Sequence, residues 1–247
     1  MASPASRWLL VGNSRWHWAE ATPAGLRISH EDPQQAQPLP AAGAPLAWAA
    51  VGPLPEACPL DPGRRVLTDA VPLLGAPGWL GVDRALAGWW AWQHYRGPVL
   101  VADAGTVLSL TLVDAEGVFA GGRLLAGCGL QLRAMAAGTA GLVAPLWSDP
   151  EQRQEHADAW PRQTLEAMTT GVVRGSAAAV AVAFSDALAR FSNCRLVLTG
   201  GDGDVLAPWV GAQLEGREAR FDLVADLALR ALVDLRPGGI EAPRPTG

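Results

Sequence analysis

Two apolar runs joined by a glycine turn occur twice in this 247-residue chain, and a duplicated strand-turn-strand constrains the fold more than any other feature. The clearer copy is Val99-Leu100-Val101-Ala102-Asp103-Ala104-Gly105-Thr106, which continues into Val107 to Val113 and collects a carboxylate, a glycine and a hydroxyl at its turn. Ninety-three residues earlier, counting from Gly12 to Gly105, Trp8-Leu9-Leu10-Val11-Gly12-Asn13-Ser14 repeats the pattern and leads into a possible second strand. The first copy lacks the carboxylate, because Leu10 stands where Asp103 stands. Glycine at such a turn lets backbone amides approach phosphate oxygens without a side-chain clash, and a neighbouring hydroxyl adds a donor. Two such hairpins, each opening one half of the chain, predict a duplicated nucleotide-binding architecture. Singly, each is also an ordinary turn sequence, and no GxxxxGK[ST] loop is present.

Composition narrows the partners. Hydrophobic residues make up 49% of the chain, enough to build a core in one large domain or two small ones. The charged fraction is 17% and the formal net charge is -5, which gives no electrostatic footprint for nucleic acid or an anionic membrane. Cys58, Cys128 and Cys194 are far apart and form no CxxC or Cys/His cluster, so neither a disulfide framework nor structural zinc is indicated, and a reduced, cytoplasmic setting is expected. His17, His30, His94 and His156 show no metal spacing. The N-terminal apolar run is broken by Gly12, Asn13, Arg15 and His17 before a signal-peptide core is complete, and no stretch approaches the about 18 apolar residues of a membrane span. The eleven tryptophans read as core packing or a subunit interface.

Residues 8 to 20 read as a hairpin, and 46 to 51 and 65 to 67 as short buried strands among proline-rich turns. Residues 84 to 95 turn helical, with Asp83 at the N-cap position, and a boundary follows at Gly97-Pro98. The expected division is 1–97, 98–235 and a disordered tail 236–247. In the second half, a third strand is expected over 118 to 125 and a helix over 127 to 138 with Leu130, Leu132 and Met135 inward. A polar surface loop should cover 147 to 161, one or two helices interrupted near Gly171 and Gly175 should fill 164 to 190, and a buried strand should span 195 to 198. Helices over 204 to 214 and 223 to 235 complete the reading.

Two further constellations bear on chemistry. In Gly81-Val82-Asp83-Arg84 the aspartate either caps the helix or accepts a substrate hydroxyl proton, and the arginine either lies exposed in the first turn or holds an anionic group by paired hydrogen bonds. Thr199-Gly200-Gly201-Asp202 follows a buried strand, as a plain turn or as a close backbone approach to an adenosine moiety.

The order Gly12-Asn13-Ser14, Gly81-Val82-Asp83-Arg84, Asp103-Ala104-Gly105-Thr106, Thr164 and Thr199-Gly200-Gly201-Asp202 resembles type III pantothenate kinase, from about residue 8 to 235. That family belongs to the acetate and sugar kinase, heat-shock and actin superfamily. The resemblance implies an α/β fold of two ribonuclease H-like domains, each a mixed sheet flanked by helices, in an actin-like ATPase architecture. It also implies a homodimer with the active site at the subunit interface. The implied activity is ATP-dependent phosphorylation of pantothenate, the first step towards coenzyme A. Carried over, Asp83 is the proton acceptor, Gly81, Val82, Arg84 and Thr164 complete the pantothenate site, and Val11, Gly12, Asn13, Ser14, Arg15 and Thr106 contact ATP. Asp103 coordinates a monovalent cation, K+ or NH4+, and Mg2+ accompanies ATP.

The chain departs from the family pattern where that reads Asp-x-Gly-Asn-Thr followed by a lysine: Leu10, Ser14 and His17 stand at the aspartate, threonine and lysine positions. Leu74 replaces a tyrosine and Ala126 a proline. The first replacements fall on magnesium positioning. They keep open a nucleotide- or pantothenate-binding regulatory homologue, and a sugar or acid kinase on the same scaffold, as alternatives.

Overall fold

In the computed structural model, which describes residues 6–32, 44–54, 59–149, 153, 158–214, 216 and 220–237, both apolar repeats become hairpins at the centre of a sheet. The chain divides into two compact units, Met1–Trp90 with Leu227–Gly247, and Ala91–Asp226. Helix α1 (Val82–Tyr95) passes from the first into the second.

The first sheet has the order β3-β2-β1-β4, from β1 (Arg7–Val11), β2 (Trp16–Thr22), β3 (Gly25–Glu31) and β4 (Ala47–Ala50). β1 runs antiparallel to β2 and parallel to β4. Side chains alternate across a strand, so Leu9 and Val11 share one face with Trp16 and Trp18, their partners across β2, and with Trp48 and Leu60 they form a tryptophan-rich core. On the opposite face Leu10, His17 and His30 form one row across β1, β2 and β3. β3 was not anticipated: as an edge strand carrying Arg27, Ser29, His30 and Glu31 it lacks an apolar run. The strand expected over 65 to 67 is reduced to one parallel bridge, Trp48 to Arg65, because short 3-10 turns at Pro62–Arg64 and Thr68–Ala70 crowd it on both sides.

Helix α5 (Leu227–Leu235) closes this unit with Leu227, Leu229 and Leu232 buried. The expected helix over 223 to 235 therefore begins later, and Leu223 ends a strand instead. The expected tail also begins later. Arg236 donates its amide to Leu232 O at 3.1 Å and accepts the Trp8 indole N–H at 2.7 Å, while residues 238–247 lie outside the described residues. Of the indoles here, buried Trp48 donates to Asp61 O and Trp18 to Glu31, half-buried Trp90 donates to Asp234, and the N–H groups of Trp16 and Trp89 are buried without a hydrogen-bond partner among the described residues. Trp79 and Trp160 are not core residues, being 73% and 86% exposed.

The second sheet repeats the order with a fifth strand, β7-β6-β5-β8-β9, built from β5 (Val99–Ala104), β6 (Val107–Val113), β7 (Phe119–Ala126), β8 (Arg195–Thr199) and β9 (Phe221–Leu223). β5 pairs antiparallel with β6 and parallel with β8, as β1 does with β2 and β4. Val99 to Ala102 are buried throughout, as a central strand covered on both faces requires. Two mixed sheets flanked by helices are the α/β architecture that the motif order implies.

Helix α2 (Cys128–Gly138) buries Leu132 but exposes Leu130, because residues two apart point to opposite sides of a helix. Helix α3 (Thr164–Arg190) is one uninterrupted 27-residue helix. Gly171 and Gly175 neither break it nor permit a close approach, since a Cβ at either would meet nothing within 4 Å. α3 is long and apolar enough to cross a membrane, yet Val172, Val173, Ala177, Val180 and Phe184 recur at helical spacing and pack into the core of the second unit. Helix α4 (Gly203–Ala212) follows the turn after β8.

Candidate functional site

Each hairpin turn is gripped by a glycine from a distant segment. In the first unit the turn runs from Val11 through Arg15 and closes with the Gly12 amide donating to Arg15 O at 2.9 Å. Asn13, Ser14 and Arg15 are exposed on it. Just beyond β4, Val51 and Gly52 both donate their amides to Val11 O, at 2.9 and 3.3 Å. A Cβ on Gly52 would stand 2.1 Å from Gly12 O, so only glycine allows the two backbones to meet. Leu10, 7% exposed, lies one residue before Val11. Opposite it His17 places Nε2 3.3 Å from where a Gly12 Cβ would lie, and its Nδ1 shares a 2.9 Å hydrogen bond with His30 Nδ1.

Gly81 to Arg84 reaches the same region of the first unit. Gly81 O accepts the Ala85 amide, making Gly81 the residue that opens α1, and Asp83 sits inside the first turn rather than at the cap. Its Oδ1 accepts the Arg84 amide at 2.8 Å. A Cβ on Gly81 would stand 2.5 Å from Asp83 Oδ1 and 3.6 Å from Val51 Cγ1, so the carboxylate folds back over Gly81, next to the residue that hydrogen-bonds the first turn. Val82 and Arg84 are buried. Burial pushes the Asp83 carboxyl above its ordinary value, against the lowering effect of the Arg84 amide and charge. Burial likewise pulls the Arg84 guanidinium below its ordinary value, with Asp83 opposing.

In the second unit Asp103 is the last residue but one of β5, opposite Ser109 on β6 and Thr199 on β8. Its turn is one residue shorter than the first: Ala104 pairs with Leu108, whereas Val11 pairs with Trp16. Gly127 donates to Thr106 O at 3.0 Å, and a Cβ there would stand 1.9 Å from Gly105 O. From the other side comes Gly200, held at φ +91°, where a Cβ would stand 2.4 Å from Asp103 Oδ1 and 2.5 Å from Ala104 O. The Asp202 amide completes this contact by donating to Ala104 O at 2.8 Å. Asp103-Ala104-Gly105-Thr106 and Thr199-Gly200-Gly201-Asp202 therefore form one backbone-lined cradle with a carboxylate at its edge. Thr164 is exposed at the start of α3, after Gln163, which makes no side-chain cap.

Sequence reasoning overlooked Gly52, although a glycine and proline directly after a short strand signalled a close approach. It also assigned Trp147 to a polar surface loop, and the structure corrects this: Trp147 is buried and donates its indole N–H to Asp202 Oδ1 at 2.9 Å. Cys128 and Cys194 are free and buried, and burial pushes both thiols up to about 11, which leaves them un-ionised at neutral pH. Cys58 lies outside the described residues.

The family model for type III pantothenate kinase matches residues 71–186, a span that holds Gly81 to Arg84, Asp103, Thr106 and Thr164. A protein named type III pantothenate kinase from Synechococcus sp. (strain JA-3-3Ab) is 36% identical over 262 aligned residues, covering 100% of this chain and 99% of the relative. Another of that name, from Thermosynechococcus vestitus, is 37% identical over 199 residues, covering 78% of this chain and 76% of the relative. Among solved structures, the ethanolamine utilization protein EutJ from Carboxydothermus hydrogenoformans superposes with a TM-score of 0.50 at 11% identity, over 96% of this chain and 91% of that one, a likeness of fold.

Proposed function

The chain belongs to the type III pantothenate kinase family, whose reaction is the ATP-dependent phosphorylation of pantothenate, and we propose that its own residues perform that reaction with Asp83 as proton acceptor. The pantothenate hydroxyl attacks the γ-phosphorus of ATP, the bond from that phosphorus to the bridging oxygen of ADP breaks, and the hydroxyl proton passes to Asp83. The observation that carries the assignment is the placement of Asp83. Its carboxylate is short of water and folded over Gly81, which in turn faces Val51, whose amide is bonded to the first glycine turn. A carboxylate with a raised pKa is a stronger base than an exposed one once it is ionised.

By the family resemblance, Gly81, Val82, Arg84 and Thr164 are the residues assigned to pantothenate, with Arg84 suited to the substrate carboxylate. Val11, Gly12, Asn13, Ser14 and Arg15, with Thr106, take the phosphates of ATP through amides, hydroxyls and one guanidinium. Asp103 is suited to a monovalent cation because its carboxylate stands beside the Gly200 backbone, which only a residue without Cβ allows, and K+ or NH4+ there would offset phosphate charge. The first turn does not fit a magnesium ion held directly by a carboxylate, because Leu10 is apolar and buried, so magnesium would enter as part of the MgATP substrate. Family membership supports a cytoplasmic homodimer, and the net charge of -5 gives no support to nucleic acid or membrane as partners.

A coupled assay of ADP release with pantothenate, run in potassium and in sodium, tests the reading. Pantothenate-dependent turnover that is faster in potassium and lowered about 10²- to 10⁴-fold in Asp83→Asn is expected. ATP binding without phosphopantothenate at high enzyme concentration would replace the kinase by a regulatory binding protein, and turnover of a different hydroxyl compound would replace the substrate.

A further inference from the structure

The second unit holds a buried polar cluster that phosphoryl transfer, as described, leaves unused. Asp202, only 6% exposed, stands at the N-cap position of α4, where an aspartate ordinarily accepts a helix amide, yet it makes no side-chain cap. Its Oδ1 instead accepts the Trp147 indole N–H at 2.9 Å and lies 3.4 Å from the Arg153 guanidinium. Arg153 in turn donates to Gly201 O at 3.1 Å and to Trp147 O, with its guanidinium 5.5 Å from the indole centroid. The indole fits only because residue 129 is glycine: a Cβ there would stand 2.9 Å from Trp147 Cδ1.

A buried ion pair contributes little net stability compared with well-packed apolar groups, so an aspartate that forgoes its cap to form one calls for another reason. The Asp202 amide is bonded to Ala104 O, and two residues earlier Gly200 abuts Asp103 Oδ1. Fixing Asp202 therefore fixes the whole Gly200-Gly201 turn against the end of β5.

We propose that Asp202, clamped by Trp147 and Arg153, is a positioning residue that holds the Gly200-Gly201 backbone and the Asp103 carboxylate in the arrangement that receives the nucleotide and its monovalent cation. The inference rests on the nucleotide site assigned above. A turn already held in its binding geometry loses less freedom when ligand arrives, and the gain appears in affinity.

Calorimetric titration of the full chain with ATP in potassium and in sodium, beside steady-state kinetics, tests this. Asp202→Asn keeps the shape and removes the charge, and is expected to weaken ATP binding about tenfold, the size of one hydrogen bond to a charged group. Trp147→Phe keeps a ring over Gly129 without the N–H and is expected to weaken binding in the same direction by a smaller factor. Both should raise the potassium concentration needed for half-maximal ATP binding and raise the KM for ATP rather than that for pantothenate. Arg153→Lys should recover part of what Arg153→Ala loses. Folded Trp147→Phe with unchanged ATP affinity and potassium dependence would overturn the proposal, even if Asp202→Asn fails to fold. A wild-type chain that binds ATP but phosphorylates no pantothenate would count against the kinase reading and leave this comparison intact.

Discussion

The Asp83 carboxylate is folded back over Gly81, so that a Cβ at residue 81 would stand 2.5 Å from Asp83 Oδ1. The glycine is what allows the proton acceptor to sit at the helix start instead of swinging away. Gly81→Ala should therefore rotate Asp83 while leaving the helix intact, since the obstructing atom is the end of a side chain. Displacing a reacting group by about 1 Å costs on the order of 100-fold in rate, whereas alanine in place of glycine at a helix start costs about 1 kcal/mol. Steady-state kinetics beside denaturant unfolding should show the first effect far exceeding the second.

Asp83→Asn should trade activity for stability. Loss of a general base lowers kcat by about 10²- to 10⁴-fold. Because burial raises the Asp83 pKa in the folded state above 3.8, the folded protein holds that proton more tightly than the unfolded chain, and stability falls as pH rises above 3.8. That loss is absent below pH 3.8, develops as pH rises towards the raised pKa, and is complete above it. The asparagine variant should therefore melt higher than wild type at pH 7, with the difference closing as the pH falls to the ordinary aspartate value. The acid limb of the wild-type rate profile should lie above the range of an exposed aspartate. Equal melting temperatures at pH 7 would contradict the desolvated setting of this carboxylate.

The adjacent glycines 200 and 201 should behave differently. Gly200 has φ +91° and no room for a Cβ against Asp103 and Ala104, whereas a Cβ on Gly201 would meet nothing within 4 Å. Gly200→Ala should destabilise by about 1–3 kcal/mol or more, through backbone strain plus overlap, and Gly201→Ala by about 0.5 kcal/mol at most. Urea unfolding of the two variants separates them. Only the Gly200 variant should also lose ATP affinity.

The glycine hairpins were legible in the sequence because a turn's chemistry is local: Gly12 and Gly105 mark their own strands, and β1–β2 and β5–β6 form where the repeats lie. What was not legible is what meets those turns. Gly52 against Gly12, Gly127 against Gly105 and Gly200 against Asp103 are contacts between segments distant in sequence, set by parallel pairing of β4 and β8 and by the start of α2. Trp147 reads as loop because its neighbours are polar, and its partner Asp202 is 55 residues away. The short edge strand β9 carries too few residues to show a period, so the helix expected over 223 to 235 absorbed its last residue. The asymmetry between Leu10 and Asp103, by contrast, is visible in both sequence and structure.

Leu10 is where that asymmetry can be tested. It is 7% exposed on β1, directly opposite His17 and in one row with His30. Leu10→Asp would place a carboxylate one residue before the Val11 carbonyl that anchors the first turn, at the position matching Asp103 in the second hairpin. Exchanging a buried leucine for an ionised group costs several kcal/mol unless it is paired, and the row of histidines offers the partners. The variant should therefore melt lower than wild type, and His17→Leu added to it should lower the melting temperature further. If magnesium reaches the wild-type enzyme only on the phosphates of ATP, a carboxylate at residue 10 gives it a protein ligand, and the magnesium concentration for half-maximal rate at fixed ATP should fall. An unchanged magnesium requirement in a folded Leu10→Asp variant would mean that the first turn never positions the ion, and that Leu10 has replaced a group this enzyme does without.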